Sequence, residues 1–397
     1  MAKKRAAREG TIYRRKDGRW TAQLTVGKKA DGTPDRATYY GKTQREVQDK
    51  LSEARAEMQK GAFVRPSDIT VGEWLVEWLN DYKKSKLQPS TWASYEIQVR
   101  CHIVPEIGQI KLQELRPDHI QRVYNKKLKE GLSPRSVRYI HQVLHGALKQ
   151  AMKNNYVYRN VSEATDLPPL EPIPIHPLSQ DEIQRLMDAI SGSPVSLPFS
   201  ISVTGGIRRG ELLGQTWSAL DLDNGIWRVE QQLVRIRNED PEATTKTRLV
   251  LKDPKTKTSV REVTLPDEIV EKLRQHKEEQ EQQKRLLGPA YHDHDLVFCA
   301  GNGNPIDPRN FVKRFERALK MAALPHHRFH DLRHSFATFL LERGVNPKVV
   351  ADLLGHKKVS TTLDMYSHVS RDVKREATSG LHAMLWKDRA CPDAVAQ

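Results

Sequence analysis

The sequence from residue 330 onward reads H-D-L-R-H-S-F-A-T, then L-G-H at 354–356 and T-T-L-D-M-Y-S-H at 361–368. Tyr366 is the only tyrosine in these motifs, so its phenol is the one obvious nucleophile if they form an active site. His330 and Arg333 are three residues apart and share a helical face, so both can approach one phosphate. Cationic and imidazole groups around a single phenol indicate attack on a phosphodiester.

Capping signals place a second histidine near these groups. Asn346, followed by proline, predicts the start of a helix, and Gly355 predicts its end, which delivers His356 at a helix terminus. A zinc site is an alternative use of His330 and His334, because residues four apart can bind one ion. No carboxylate or third histidine occupies a motif position, so we expect neither a metal nor another cofactor.

An arginine motif lies far upstream, in G-I-R-R-G-E-L-L at 206–213. Arg208 and Glu211 are spaced to meet on one face at the start of a buried helix. The carboxylate could orient the guanidinium, whose planar fork can hold two phosphate oxygens. The alternative is an ordinary ion pair within a helix.

Two lysines lie between strand-like runs. I-W-R-V-E-Q-Q-L-V and S-V-R-E-V-T-L-P enclose K-D-P-K-T-K-T, which predicts a hairpin with a basic tip. A lysine there could reach into a groove and protonate a leaving 5′ oxygen. We favour Lys255 for this role, Lys257 stays open, and a solvated basic turn is the plainer alternative.

The charge balance favours a polyanionic partner. Lys and Arg total 65 against 50 Asp and Glu, a formal net charge of +15. Such an excess draws a protein to nucleic acid through counterion release. A basic protein without such a partner is the alternative. Three widely spaced cysteines, a charged start without an apolar segment and the lack of long apolar runs predict a cytoplasmic protein.

The first segment, residues 1–62, has the pattern of a small basic module. Its first strands are broken by Asp-Gly turns, and T-Q-R-E at 43–46 is a capping box that opens a helix. We expect a three-stranded sheet backed by one helix. Trp20 either joins Tyr13 on a DNA-reading face or packs under the helix. The expected DNA contacts are Arg14, Arg15 and Arg19.

The second segment, residues 67–165, is predicted to be helical. Its tryptophans, Trp74 and Trp78, repeat at helical spacing, which is more typical of a core than of a base-stacking platform. A basic cluster near one helix pair is either a solvated face or a phosphate contact. The cluster contains Lys126, Lys127, Arg135 and Arg138. Residues 166–177 hold five prolines and predict an extended linker.

Residues 178–370 resemble the catalytic domain of the tyrosine recombinase, or phage integrase, family. The family signature is Arg, Lys, His-x-x-Arg, His or Trp, and Tyr. The matching residues are Arg208, Lys255, His330, Arg333, His356 and Tyr366. Residues 67–165 resemble the helical, SAM-like core-binding domain, and the first segment resembles the arm-binding domain. One departure is Thr264, where relatives often have proline.

The resemblance implies a multidomain, mainly α fold with a small β content and a mixed α+β catalytic domain. It also implies a mechanism. Arg208 and Arg333 would stabilise the charge on the phosphate, while His330 and His356 would donate hydrogen bonds or move protons. Tyr366 would form a 3′-phosphotyrosyl bond, and strand exchange would need no ATP.

The implied partners are core-type and arm-type DNA attachment sites and four protomers on two duplexes, in the nucleoid of a bacterial host. A host DNA-bending protein and an excision factor are further candidate partners. The tail, residues 371–397, carries an apolar cluster that would dock on its own domain or on a neighbouring protomer. That cluster contains Leu381, Met384, Leu385 and Trp386.

Integration and excision of a mobile element is the activity that the resemblance favours. A multimer resolvase of the same family is an alternative, and residues 1–62 argue against it because such resolvases usually lack a basic amino-terminal module. A DNA-binding protein with an inactive site is a second alternative, opposed by the presence of all six expected residues. A type IB topoisomerase is a third. The sequence does not identify the attachment sites, the element or the control of direction.

Overall fold

The computed structural model describes residues 10–28, 31–59, 61, 63–171, 176–238, 242–253, 260–366 and 378–379. The chain forms two compact units, Met1–Pro172 and Ile173–Gln397. Their boundary lies inside the segment predicted to be a linker. The described part of that segment contains neither helix nor strand. The multidomain, mainly helical fold with small sheets agrees with the expected class.

The first unit begins with an antiparallel sheet, as the alternating pattern predicted. Its strands, in the order β1-β2-β3, are β1 (Thr11–Arg14), β2 (Trp20–Lys28) and β3 (Pro34–Gly41). Helix α1 (Gln44–Gln59) covers one face and contributes Val47, Leu51 and Ala54 to a small core with Ala22 and Leu24. Half of the predicted capping box is present: the backbone N–H of Glu46 donates to Thr43 Oγ1 at 3.2 Å, whereas the Glu46 carboxylate accepts from the backbone N–H of Lys42 at 2.9 Å.

The rest of the first unit is helical. The structure confirms the predicted helical character: Thr70 caps the first helix, and Pro89, Pro117 and Pro134 each begin another. The helices are α2 (Val71–Glu77), α3 (Pro89–Ile97), α4 (Val104–Ile107), α5 (Pro117–Lys129) and α6 (Pro134–Lys153). Residues Trp78–Lys83 and Gln98–Ile103 continue α2 and α3 as π-helical turns.

Trp74 and Trp78 lie in the core of the helical part. Both are almost completely buried, and Trp74 Nε1 donates to the carbonyl oxygen of Ala147 at 3.0 Å. A buried indole with a satisfied N–H is a packing residue. This geometry confirms the core interpretation of the tryptophan stripe.

The second unit packs helices around small sheets. Its strands are β4 (Leu220–Asp221), β5 (Ile226–Val229), β6 (Gln232–Arg237), β7 (Thr247–Lys252) and β8 (Arg261–Thr264). Its helices are α7 (Gln180–Ala189), α8 (Ser196–Gly205), α9 (Arg209–Leu213), α10 (Asp267–Leu287), α11 (Pro308–Met321), α12 (Asp331–Glu342), α13 (Pro347–Leu354) and α14 (Val359–Tyr366). Edge-to-face phenylalanines from α8 and α11 form the centre of its core.

The two strand-like runs predicted to enclose the lysines are paired in part, because Ile226–Val229 (β5) pairs with Arg261–Thr264 (β8), but a strand that was not predicted, β7, comes directly before the lysines. β7 pairs with β6 and β8 pairs with β5, so the strands on either side of the lysines are not paired with each other. Lys252 lies opposite Gln232, and Arg261 lies opposite Val229. The described residues on either side of the lysines therefore belong to two different ladders, whose partner strands β5 and β6 are separated only by Glu230 and Gln231.

Candidate active site

Arg208 is the N-cap residue of α9 and is held by Glu211. One guanidinium nitrogen donates to Glu211 Oε1 at 2.6 Å, and the second carboxylate oxygen accepts from the Arg208 backbone N–H at 3.1 Å. The Arg208 side chain is 33% exposed, whereas the Glu211 side chain is 4% exposed. The predicted pair is thus present, and the carboxylate fixes a guanidinium that still reaches solvent.

A second arginine, Arg261, shares the same carboxylate. It donates to Glu211 Oε2 at 2.9 Å, and its Nε donates to the carbonyl oxygen of Leu353 at 2.7 Å. Burial alone would raise the pKa of Glu211, but the hydrogen bond and charge of Arg261 and the charge of Arg208 outweigh burial and lower it. The carboxylate therefore stays ionised between two guanidinium groups.

Arg333 is the most deeply buried arginine of the site. Only 2% of it is exposed, and its guanidinium donates to the carbonyl oxygens of Gly206, at 2.6 Å, and Leu354. Burial, followed by the positive charges of Arg208 and Arg261, lowers its pKa. Its Nε has no acceptor among the described residues. Excess positive charge and an unsatisfied donor both favour an incoming anion.

The three arginines converge on the last carbonyls of α13. Those of Leu353, Leu354 and Gly355 accept from Arg261, Arg333 and Arg208, respectively, the last at 3.3 Å. Carbonyls at the end of a helix lack partners within it and carry its negative dipole end, so cations stabilise them. We call Arg208, Arg261, Arg333 and Glu211 the arginine cluster.

His330 lies beside this cluster, as the N-cap residue of α12. Its ring is edge-to-face with that of His334, with centroids 4.8 Å apart. Desolvation by the surrounding protein and then the charges of His334, Arg333 and Arg208 lower the pKa of His330 to about 4, although the residue keeps an exposed surface. The imidazole is therefore neutral at pH 7.

His356 follows the helix end that the arginines hold. Gly355 ends α13 with a φ of 63°, a left-handed backbone that glycine adopts without strain. Desolvation and the charges of Arg333 and Arg208 lower the pKa of His356 to about 4. Its Nδ1 lies 2.9 Å from the hydroxyl oxygen of Thr362, which fixes the orientation of the ring.

Tyr366 is the last residue of α14, the helix that also carries Thr362. The backbone thus places it one helical turn after the residue that contacts His356. Its side chain lies outside the described residues, as do Lys255, Lys257 and the apolar residues of the tail.

The structure does not support every basic residue proposed for DNA binding. Lys127 is 5% exposed and donates at 2.9 Å to both Glu106 and Glu130, while Lys126 donates to Glu106 at 2.8 Å. Burial alone would lower the pKa of Lys127, but the two carboxylates outweigh it and raise the pKa. Lys127 is therefore committed to an internal ion pair and does not face a phosphate. We call these four residues the lysine cluster.

The two arginines that were predicted to bind DNA together with these lysines differ from each other. Arg138 donates through Nε to the carbonyl oxygen of Pro168 at 2.8 Å, so it is partly committed to the chain that follows the helices. Arg135, in the first turn of α6, is exposed. Of the proposed residues on α5 and α6, Arg135 is therefore the one whose surroundings suit a phosphate contact.

The outer face of the small sheet is aromatic and basic. Tyr13 and Tyr40 flank Thr21 across the three strands and are 41% and 47% exposed. Arg15 and Arg19 lie 5.8 and 5.9 Å from the ring of Tyr40. The third proposed residue, Arg14, donates to the carbonyl oxygen of Gly18 at 3.2 Å. Trp20 instead packs against the core, which confirms the packing alternative for this residue.

Sequence reasoning missed a group of lysines on the helical part. Lys83 has its pKa lowered by burial and then by the positive charges of Lys86 and Lys153. Among the described residues, none of the three has a carboxylate within salt-bridge distance. We call them the Lys83 patch. The nearest sequence signal, K-K-S-K-L at 83–87, is short and lies 66 residues before the third member.

No group of three His, Cys, Asp or Glu side chains in the described part of the chain is arranged to hold a metal ion. Within the same part, no helix combines the length and the apolar character needed to cross a bilayer.

Comparisons with known proteins extend these observations. Residues 176–372 match the model of the phage integrase family, and residues 70–128 match the N-terminal SAM-like domain of phage integrases. A tyrosine recombinase XerC-like protein of Caldanaerobacter subterraneus subsp. tengcongensis is 30% identical over 369 residues, which cover 90% of this chain and 94% of the relative.

Solved structures share the fold. The Tn1549 transposon integrase in complex with a circular intermediate DNA matches 79% of this chain and 99% of its own, with a TM-score of 0.65 and 20% identity. A lambda integrase tetramer bound to a Holliday junction matches 91% of this chain and 96% of its own, with a TM-score of 0.54 and 19% identity. The chain belongs to the phage integrase family of tyrosine recombinases, enzymes that cleave and rejoin DNA.

Proposed function

We propose that this recombinase integrates and excises a phage or other mobile element through a 3′-phosphotyrosyl intermediate and a four-way junction. The arginine cluster is the observation that carries the proposal. It combines three guanidinium groups with one carboxylate at the end of α13, and the next residues of the chain lead to His356 and Tyr366. Such an excess of positive charge suits a phosphodiester on its way to a five-coordinate state.

Arg208 and Arg333 bind the non-bridging oxygens of the scissile phosphate. Arg208 has the exposed surface that this role needs, and Glu211 fixes its orientation. Arg333 contributes a charge held in a water-poor setting, where electrostatic interactions are stronger than in water. Removal of one such donor typically reduces a cleavage rate by about 10²–10³-fold.

Proton transfer falls to the histidines and a lysine. His330 and His356 are neutral in the free protein, and the negative phosphate raises the pKa of both when it binds. They then accept the phenolic proton or donate hydrogen bonds as the oxygen of Tyr366 attacks phosphorus. The departing 5′ oxygen takes a proton from Lys255 or Lys257. Attack by a 5′ hydroxyl of a partner duplex reverses the step and regenerates the phenol.

The described residues on either side of Lys255 and Lys257 support delivery of a lysine to the site. Lys252 lies opposite Gln232, which is adjacent to Gly210 of α9, and Arg261 contacts Glu211. Both ends of the 253–260 segment are therefore next to the arginine cluster. Lys255 is three residues from one end, a span of at most about 11 Å in an extended chain.

DNA is held by two surfaces of the first unit in addition to the site of the second. The exposed face of the small sheet, with Tyr13, Tyr40, Arg15 and Arg19, reads an arm-type site, while the Lys83 patch and Arg135 contact phosphates of the core site. Four protomers assemble on two duplexes. The lambda integrase tetramer on a Holliday junction, which shares this fold, supports that arrangement.

Covalent capture tests the chemistry. The protein is incubated with a nicked half-site that carries a candidate attachment sequence, and the products are separated on a denaturing gel. We expect a covalent adduct with the wild type and none with Tyr366→Phe, while both bind DNA with similar affinity. Equal adduct formation by Tyr366→Phe would reject the assigned nucleophile.

Two alternatives are separated by further assays. A multimer resolvase would recombine two identical sites without residues 1–62, whereas the proposed function requires them for recombination between unlike sites. A type IB topoisomerase would relax a supercoiled plasmid that lacks paired sites. We expect neither activity at the level of the integration reaction.

A further inference from the structure

We infer that Arg261 is a positioning residue for DNA cleavage: it orients Arg208 through their shared carboxylate and holds the helix end that delivers His356. This inference rests on the proposed function. Arg261 belongs to neither the sequence signature nor the set of side chains that face a phosphate. Its role follows from what its guanidinium contacts.

Arg261 is committed to the protein interior. Its side chain is 7% exposed, and two of its nitrogens donate to Leu353 and Glu211 at 2.7 and 2.9 Å. These contacts join the first residue of β8 to two other segments of the site. With its directed contacts made to Glu211 and Leu353, Arg261 acts on the phosphate through Arg208 and His356, whereas Arg333 has an Nε without an acceptor among the described residues for direct contact.

The first consequence concerns the charge balance of Glu211. Its two oxygens are divided between the cations, with Arg208 on Oε1 and Arg261 on Oε2. Without Arg261, the buried carboxylate keeps Arg208 as its remaining cationic partner among these residues. The attraction between Arg208 and Glu211 then strengthens, so Arg208 is less available to the phosphate.

The second consequence concerns the end of α13. Leu353 is three residues before His356, and its carbonyl is the first of the three that the arginines hold. Loss of this contact loosens the turn from which His356 leaves the helix. One side chain thereby influences both a phosphate ligand and a histidine of the proposed reaction, and a displacement of about 1 Å can cost on the order of 10²-fold in rate.

The test uses the full chain with Arg261→Lys and Arg261→Gln. Single-turnover cleavage of a nicked half-site is measured at saturating DNA, alongside DNA affinity and thermal unfolding. Lysine keeps the charge but cannot form the same two directed contacts, so we expect about 10-fold slower cleavage, and about 100-fold for glutamine. DNA affinity should stay within about twofold for both variants.

A matched control distinguishes this role from general loss of an ion pair. Arg228, on the neighbouring strand β5, pairs with Glu262 at 3.0 Å and is 40% exposed. We expect Arg228→Gln to cleave at the wild-type rate. If Arg261→Gln does not fold, Arg261→Lys decides the outcome.

A double variant tests the connection to Arg208. If Arg261 acts through Arg208, the combined effect of Arg261→Lys and Arg208→Lys on the cleavage rate is smaller than the product of the single effects. A purely structural role predicts lower thermal stability, full cleavage by the folded fraction and multiplicative effects, and that result overturns the inference. Lack of an adduct with the wild type on its cognate DNA instead rejects the proposed function.

Discussion

The lysine cluster of the helical part and the arginine cluster of the catalytic unit both contain basic residues near helix termini, yet their charges are balanced differently. Lys126 and Lys127 meet two carboxylates, so the positive charge is neutralised within the fold. Arg208 and Arg261 share one carboxylate, whereas Arg333 donates to neutral carbonyls. The number of basic residues does not identify a phosphate site, whereas their partners do.

The difference also appears in the pKa values. In the lysine cluster the carboxylates outweigh burial and raise the pKa of Lys127, as expected for a stabilised cation. In the arginine cluster, burial and like charges lower the pKa of Arg333, and they do the same to the neighbouring His330 and His356. The catalytic unit thus keeps unfavourable charge that a bound anion would relieve, a common property of functional sites.

The largest expected effect is on the arginine cluster. Arg333→Gln should slow covalent adduct formation by about 10²–10³-fold, because it removes a buried cation from the phosphate site. Single-turnover assays at saturating DNA measure this rate. Arg343→Gln, an exposed arginine that ends the same helix, serves as the control and should cleave normally. Comparable losses of cleavage rate in both variants would contradict the assignment of phosphate binding to the arginine cluster.

A smaller effect is expected on stability from the lysine cluster. Lys127→Met should lower the free energy of unfolding by about 1–3 kcal/mol, because Glu130 loses a partner and Glu106 keeps only Lys126. Denaturant titration measures this change. Cleavage by the folded protein should stay at the wild-type rate. A large loss of DNA affinity without a stability change would restore Lys127 as a phosphate contact.

The pH dependence of stability gives the next effect. The pKa of His356 is about 4 in the folded protein, below its ordinary value of 6.5. Between these two pH values the unfolded chain therefore binds more protons than the folded chain. The contribution of His356 to the free energy of unfolding is thus fully present above about pH 6.5 and is lost as the pH falls toward 4. One such histidine contributes a slope of at most about 1.4 kcal/mol per pH unit. His356→Gln should show a shallower decline in thermal unfolding measured from pH 7 to pH 4.5.

The smallest effects are expected at the Lys83 patch. Lys83→Gln, Lys86→Gln and Lys153→Gln should each weaken DNA binding a few-fold and reduce the salt slope by about one, since each removes one phosphate contact. Gel-shift titrations at several salt concentrations measure both quantities. Lys126→Gln is the matched control and should leave the slope unchanged. A lower salt slope for Lys126→Gln, with no change for the three variants of the Lys83 patch, would show that the ion pairs of the lysine cluster break when DNA binds.

Local features of the site could be predicted from the sequence because they depend on short spacings. The helix caps at Thr43 and Asn346 and the Arg208–Glu211 pair need only neighbours within one turn. The end of α13 at Gly355 follows from the same kind of signal. Each of these predictions is confirmed by the geometry of the described residues.

Other features depended on tertiary packing and were missed. Glu106 is 21 residues before Lys127, and Glu211 is 50 residues before Arg261, so no local pattern reveals these partners. One signal was available for Arg261. Arg261 lies two residues before the buried Val263 on β8, so both side chains are on the same, inward face of the strand. The pairing of β7 with β6 was also missed, because β5 and β6 lie in one continuous strand-like run of the sequence.

The capture of consecutive carbonyls at the end of α13 also limits how the gene can be shortened. A product that stops before Leu353 loses these carbonyl acceptors of Arg208, Arg261 and Arg333 along with the residues that follow. Each guanidinium keeps an acceptor at Glu211 or Gly206, but unmet donors inside the fold are costly, so such a fragment would be a less stable competitor for the DNA sites. A premature stop codon in this region therefore removes His356 and Tyr366 and weakens the catalytic unit, although its main core, between Leu178 and Leu332, stays in the chain.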